Sequence, residues 1–195
     1  MGYWANVGVF SFLAANSGTR VVAIEPLYGN YYSICKSLEL NPGLTGNVMV
    51  MPVALTDLDG SDILYIPSNE IGYSGVQFGR TTDPMGNDLN EEFRINLLGL
   101  KASTMQNLLL DSFSSPDYIK IDVDGIELKI LKGLHDILQS SKLKSLLIEA
   151  QDVHEEELIR SLLEPNGLSC NLADRESTVP NSSNCESYNL IFRRN

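Results

Sequence analysis

Short apolar runs alternate with longer stretches of helical periodicity along most of the chain. Residues 21–24 (VVAI), 48–55, 61–66, 118–121 (YIKI), 144–148, 168–172 and 188–192 are too short for helices and rich in β-branched or aromatic residues, so they predict strands. Helical spacing occupies 8–15, 28–40, 104–110, 127–138 and 155–163. In the fourth of these, Ile126, Ile130, Leu131, Leu134, Ile137 and Leu138 share one face while Lys129 and Lys132 fall on the other, which predicts one helix lying on a sheet. Thr104 is placed to cap the third, and Asn41-Pro42-Gly43, Ser115-Pro116 and Pro165-Asn166-Gly167 supply stops. Strand and helix in alternation predict a mostly parallel sheet, with the last two strands an antiparallel pair. Residues 72–98 form a Gly-, Asn- and Asp-rich excursion, longer than an ordinary connection, of the kind that carries function or disorder.

Composition narrows this to one α/β domain over 1–195: 43% of the residues are hydrophobic and only 20% charged, enough for a core. The formal net charge of -11 repels nucleic-acid phosphates and anionic lipid, and the Lys and Arg residues are scattered, so neither nucleic acid nor membrane is the expected partner. Cys35, Cys170 and Cys185 show no CxxC or Cys/His ligand spacing and read as reduced thiols of an intracellular protein. No charged leader with a cleavage site opens the sequence, and no apolar run reaches the roughly 18 residues of a membrane helix, which predicts a cytoplasmic location. Asn181-Ser182-Ser183 then reads as a turn rather than a glycosylation site.

In an open parallel sheet, ligands bind beyond the carboxyl ends of the strands. Acids recur there: Glu25 ends VVAIE, Asp57 follows PVALT, Asp122 and Asp124 end YIKIDVD, and Glu149 ends SLLIE. A carboxylate at the position of Glu25 can accept both hydroxyls of a ribose. Gly8, before the first helix, lets backbone approach a ligand at the helix N-terminus. The run DVDGIE is not a calcium loop, since its first ligand would fall on Lys120 and its twelfth on Leu131. Gly125 permits a tight turn, Asp124 is read as a helix cap, and Glu127 meets the helix dipole. Asp122 instead points into the crevice, where it could receive a proton, hold a substrate hydroxyl or ligate an ion. Lys120 shares the face of Asp122 and needs a carboxylate partner if buried.

The blocks ANVGVFSFLAA, VVAIEP, VALTDLDG, DYIKIDVDGIELKILKGL and SLLIEA, in this order and spacing, resemble the FkbM-type methyltransferases. The resemblance implies a Rossmann-like class I methyltransferase sheet with helices on both faces, S-adenosylmethionine as cofactor, and methyl transfer to a hydroxyl of a sugar or other small molecule. By that resemblance Ala5, Asn6 and Gly8 face the methionine part of the cofactor, Glu25 holds its ribose, Asp57 lies near the adenine, and Lys120, Asp122, Asp124 and Glu127 form the signature block. Asp122 is the first candidate for the base and His154 the second; His135 reads as structural. No metal ligands are assigned. The sequence departs from the family at Gly2, where the loop has an acid, at Trp4, where it has glycine, and at Gln106, more often Asp. The apolar strand that precedes the loop is missing, so the central strand is expected to be absent and the domain truncated at its N-terminus. The alternative is an inactive methyltransferase-like module that binds cofactor weakly or not at all. A nicotinamide enzyme is disfavoured because ANVGVF lacks G-x-G-x-x-G.

Overall fold

The computed structural model describes residues 2–84, 86–109, 113, 115–177 and 187–195, with backbone alone at Tyr3 and Ser177; Asn181-Ser182-Ser183 and Cys185 lie outside the described residues. Its larger sheet comprises β1 (Gly2–Tyr3), β2 (Val21–Ile24), β3 (Val48–Met51), β8 (Tyr118–Ile121), β9 (Ser145–Ala150), β10 (Leu168–Ser169), β11 (Arg175–Ser177) and β12 (Tyr188–Arg194). The order is β10-β12-β9-β8-β1-β2-β3, with β11 also on β12. Strands β3, β2, β1, β8 and β9 run parallel, and β12 is antiparallel to β9, β10 and β11. The expected antiparallel pair at the C-terminus is present, as Leu168↔Arg194 and Ser169↔Arg193.

The central strand is not absent, contrary to expectation. Gly2 pairs with Ala23 and Lys120, and Tyr3 with Ile24 and Ile121, so two residues bridge β2 and β8 at their carboxyl ends. The Ala5 N–H continues the bridge to the Ile24 carbonyl at 2.8 Å. Buried parallel edges need partners for their amides, and this stub supplies them where the strands approach the loop that follows.

Alternation along β2 shows that both faces are covered. Val21 and Ala23 pack with Ala15 of α1 (Val9–Asn16) and with Leu38 of α2 (Tyr28–Leu40), whereas Val22 and Ile24 belong to the main core. The main core also takes residues of α3 (Ala102–Leu109), α4 (Glu127–Gly133), α5 (His135–Leu138) and α6 (Val153–Leu163).

Several predicted elements are redrawn by tertiary contacts. The run 48–55 is two strands, because Pro52, without an N–H, separates β3 from β4 (Ala54–Leu55). Strand β4 enters a second sheet, in the order β4-β7-β5-β6, with β5 (Gly60–Ile66), β6 (Gln77–Phe78) and β7 (Phe93–Leu100). The excursion 72–98 therefore contains β6 and most of β7, the latter paired antiparallel with all of β5. The helix expected over 127–138 ends at Gly133, where an added Cβ would lie 2.2 Å from the Thr56 carbonyl oxygen, and it restarts at His135. Helix α3 starts before Thr104. Asp59 accepts from the Lys101 N–H and the Thr104 hydroxyl, both at 2.8 Å, which lowers its pKa. No helix among the described residues is long and apolar enough to cross a membrane.

Candidate functional site

Strand β2 delivers Glu25 into the interior, where it is 2% exposed. The chain supplies two N–H groups there: Asn6 donates to Oε2 at 2.8 Å and Leu27 to Oε1 at 2.9 Å. Asn6 stands in the left-handed region (φ 51°), which Asn tolerates, and its Oδ1 accepts from the Val7 N–H at 2.7 Å. Burial pushes the Glu25 carboxyl up to about 7, against the pull of the Leu27 and Asn6 amides and of Asn30. With Leu27, Asn6 and Asn30 as donors, the two oxygens still keep acceptor capacity for a ligand hydroxyl.

Strand β8 delivers the second group. Lys120 pairs with Asp122, as its place in the strand demanded, and its Nζ lies 4.6 Å from the centre of the Phe10 ring. Asp124 does not cap α4: that helix has no side-chain cap bond. Its carboxyl is pushed up to about 7, first by burial and then by the charges of Glu149 and Asp122. Glu127 is fully buried, with Oε1 accepting from the Gly125 N–H at 3.3 Å and Oε2 without a hydrogen-bond partner. Burial, then the Glu155 charge, raises its carboxyl well above the usual range.

Glu25, Lys120, Asp122 and Asp124 border one cavity of about 380 Å³, at the carboxyl ends of the strands beside the stub β1, whereas Glu127 does not line it. Ala5, Asn6, Glu25, Lys120 and Asp122 line it; Gly8, Asp57 and His154 do not. Gly8 (φ 88°) serves packing instead, since a Cβ there would meet the Phe12 ring at 2.8 Å. Asp57 accepts from the Thr56 hydroxyl at 3.1 Å, and His154 is exposed in the first turn of α6. Trp4 does not fill the cavity: it forms part of the wall and belongs to the main core at 6% exposure.

Asp124, placed by the sequence among the strand-end acids but read as a cap, also lines the space, as do Asn30 and Tyr73, which sequence reasoning missed. The signal for Asn30 was an amide in the first turn of a helix that packs on a sheet. Nothing in the residue string reveals Tyr73, which is brought in from the excursion. Four carboxylates (Glu25, Asp122, Asp124, Glu149) and a single ammonium, Lys120, line the cavity, so it favours a cationic ligand with hydroxyl donors. Among the described residues no group of three or more His, Cys, Asp or Glu side chains could hold a metal ion.

The Methyltransferase FkbM domain family matches residues 4–171, most of the chain. The chain belongs to the FkbM methyltransferase domain family. Among solved structures it is similar to a methyltransferase FkbM from Methylobacillus flagellatus KT, with a TM-score of 0.61 at 16% identity, covering 96% of this chain and 42% of that one. The chain thus spans less than half the length of that protein. The N-terminal domain of human METTL16 in complex with SAH matches with a TM-score of 0.54 at 14% identity, covering 98% and 59%. An rRNA methylase from Streptococcus thermophilus matches with a TM-score of 0.53 at 10% identity, covering 99% and 84%. At such identities the likeness concerns the fold, which is Rossmann-like as the resemblance to FkbM enzymes implied. No curated protein matches the chain.

Proposed function

We propose that the cavity binds S-adenosylmethionine and that the chain directs its methyl group to a hydroxyl oxygen of a small molecule. One observation carries this reading: Glu25 and the Asp122–Asp124 tip, far apart in sequence, border the same acid-lined space. The residues fit the cofactor. Glu25, held by two backbone amides, would accept the ribose hydroxyls, Ala5 and Asn6 would flank the methionine portion, and the surrounding carboxylates suit a sulfonium and an ammonium. A space of about 380 Å³ falls within the range of about 300–1,000 Å³ usual for such sites. When bound, the cofactor supplies an electrophilic methyl carbon whose leaving group is a neutral thioether.

The chain must then take a proton from the acceptor as its oxygen bonds to that carbon. Asp124 suits the task better than Asp122, because a carboxyl near 7 is matched to neutral operating pH. Asp122, paired with Lys120, would orient the acceptor. The likeness to an rRNA methylase raises nucleic acid as an alternative acceptor. The acidic lining and the net charge of -11 weigh against phosphates at this mouth and favour a sugar or another small hydroxyl compound.

The test is calorimetric titration with S-adenosylhomocysteine, followed by label transfer from S-adenosylmethionine to hydroxyl compounds and, separately, to RNA. One-to-one binding that Glu25→Gln weakens supports the reading. Binding indifferent to Glu25 overturns the site, and labelling of RNA alone overturns the acceptor class.

A further inference from the structure

Two side chains of the excursion reach back to the turn between β8 and α4. Gln77, in β6 and 1% exposed, donates from Nε2 to the Asp124 carbonyl at 2.6 Å. Arg80 donates from Nη1 to the next carbonyl, that of Gly125, also at 2.6 Å, and from Nη2 to the Asp83 carbonyl at 3.0 Å. The fit is close: a Cβ on Gly125 (φ 95°) would lie 2.7 Å from Arg80 Nη1. The grip does not hang from a loose loop, because β6 is paired to β5 at Tyr65↔Gln77 and Leu64↔Phe78.

Upstream, the same segment is tied to the cofactor side of the cavity. Asn6 donates to the Gly72 carbonyl at 3.0 Å, the Gly72 N–H donates to Asn30 Oδ1 at 2.7 Å, and Asn30 donates to the Tyr73 carbonyl at 3.0 Å. Between the two sets of ties, Tyr73, Ser74 and Val76 line the cavity.

We propose that Gln77 and Arg80 are positioning residues: by holding the two successive carbonyls of the Asp124–Gly125 turn they fix where the Asp124 carboxylate is presented to the acceptor. The inference rests on the function proposed above. Core filling alone accounts poorly for Gln77. Its Oε1 is buried without a hydrogen-bond partner, a desolvation cost that a leucine would not incur. The amide is explained by its other end, the donor on Asp124. Such holding matters because a displacement of about 1 Å at a reacting group lowers rates by about 10²-fold.

The test uses the whole chain with Gln77→Leu and Arg80→Lys. The first removes the donor without changing charge, and the second keeps the charge but loses the planar fork. The readouts are S-adenosylhomocysteine affinity and the titration midpoint of the Asp124 carboxyl by carbon NMR. The charged and titratable groups facing Asp124 are Asp122, Lys120, Glu127, Glu149 and Tyr73, all left intact.

Expected is affinity within about twofold of the parent, with the midpoint falling by about one pH unit as the released carboxylate turns to water. An unmoved midpoint in folded variants overturns the inference and leaves the proposed function standing. Should Gln77→Leu fail to fold, Arg80→Lys decides alone. A parent chain that does not bind S-adenosylhomocysteine overturns the proposed function first, and the inference with it, before any substitution is made.

Discussion

Glu25 and Asp124 are both carboxyls raised to about 7, yet they are held in opposite ways. Glu25 sits between backbone donors on both oxygens, with Asn30 close by, so only burial raises it. Asp124 is raised by burial and also by two neighbouring carboxylates. A group ringed by donors is built to accept hydrogen bonds, whereas one crowded by like charge is built to take up a proton. Two carboxyls raised to a similar value thus differ in the cause of the rise, and that difference is what assigns Glu25 to binding and Asp124 to proton transfer in the function proposed above.

Four measurements break or sharpen that contrast. The largest effect is expected for Asp124→Asn, which should lower methyl transfer by about 10²–10⁴-fold while leaving S-adenosylhomocysteine affinity nearly unchanged by calorimetry. Glu25→Gln should do the reverse. Its amide nitrogen would face a backbone N–H, and affinity should fall by about 10–100-fold, the value of hydrogen bonds to a charged acceptor. Third is pH. Because the folded pKa of Glu25 lies above its ordinary value of 4.5, its contribution to stability is complete below pH 4.5 and is lost as pH rises through about 7. Urea unfolding should show a decline between those limits of which Glu25 accounts for about 3 kcal/mol, read as the difference from Glu25→Gln because Asp124 adds a decline of the same sign, with ligand affinity rising over the same window as the carboxylate forms. The smallest effect belongs to His154→Ala, which should change affinity and rate by less than about twofold, as expected for an exposed side chain outside the cavity.

Much of the fold was legible because the chain's alternation is strict where it matters. VVAI and YIKI, each followed by an acid, placed β2 and β8 and put Glu25 and Asp122 at their tips. Lys120 in an otherwise apolar strand announced its partnership with Asp122. What escaped was decided by contacts between distant segments. A run with β period (Arg94, Ile95, Asn96, Leu97) lay inside the excursion, but its pairing with β5 could not be read from a stretch so rich in turn residues. Asp124 was taken for a cap because spacing gives distance along a helix axis and not the direction of a side chain at a glycine turn. The break at Gly133 comes from the backbone of Thr56, which only tertiary packing brings near.

Strand β1 makes the sheet a seamed object. The β2–β3 flap joins the β8–β9–β12 slab through Gly2 and Tyr3, whereas β12 meets β9 along six consecutive pairs. Ala5 and Asn6, which follow β1 closely, bond to Ile24 and Glu25 and line the acid-lined cavity, whose wall also takes Lys120 and Asp122, so a guest lodged there would rivet the two panels together.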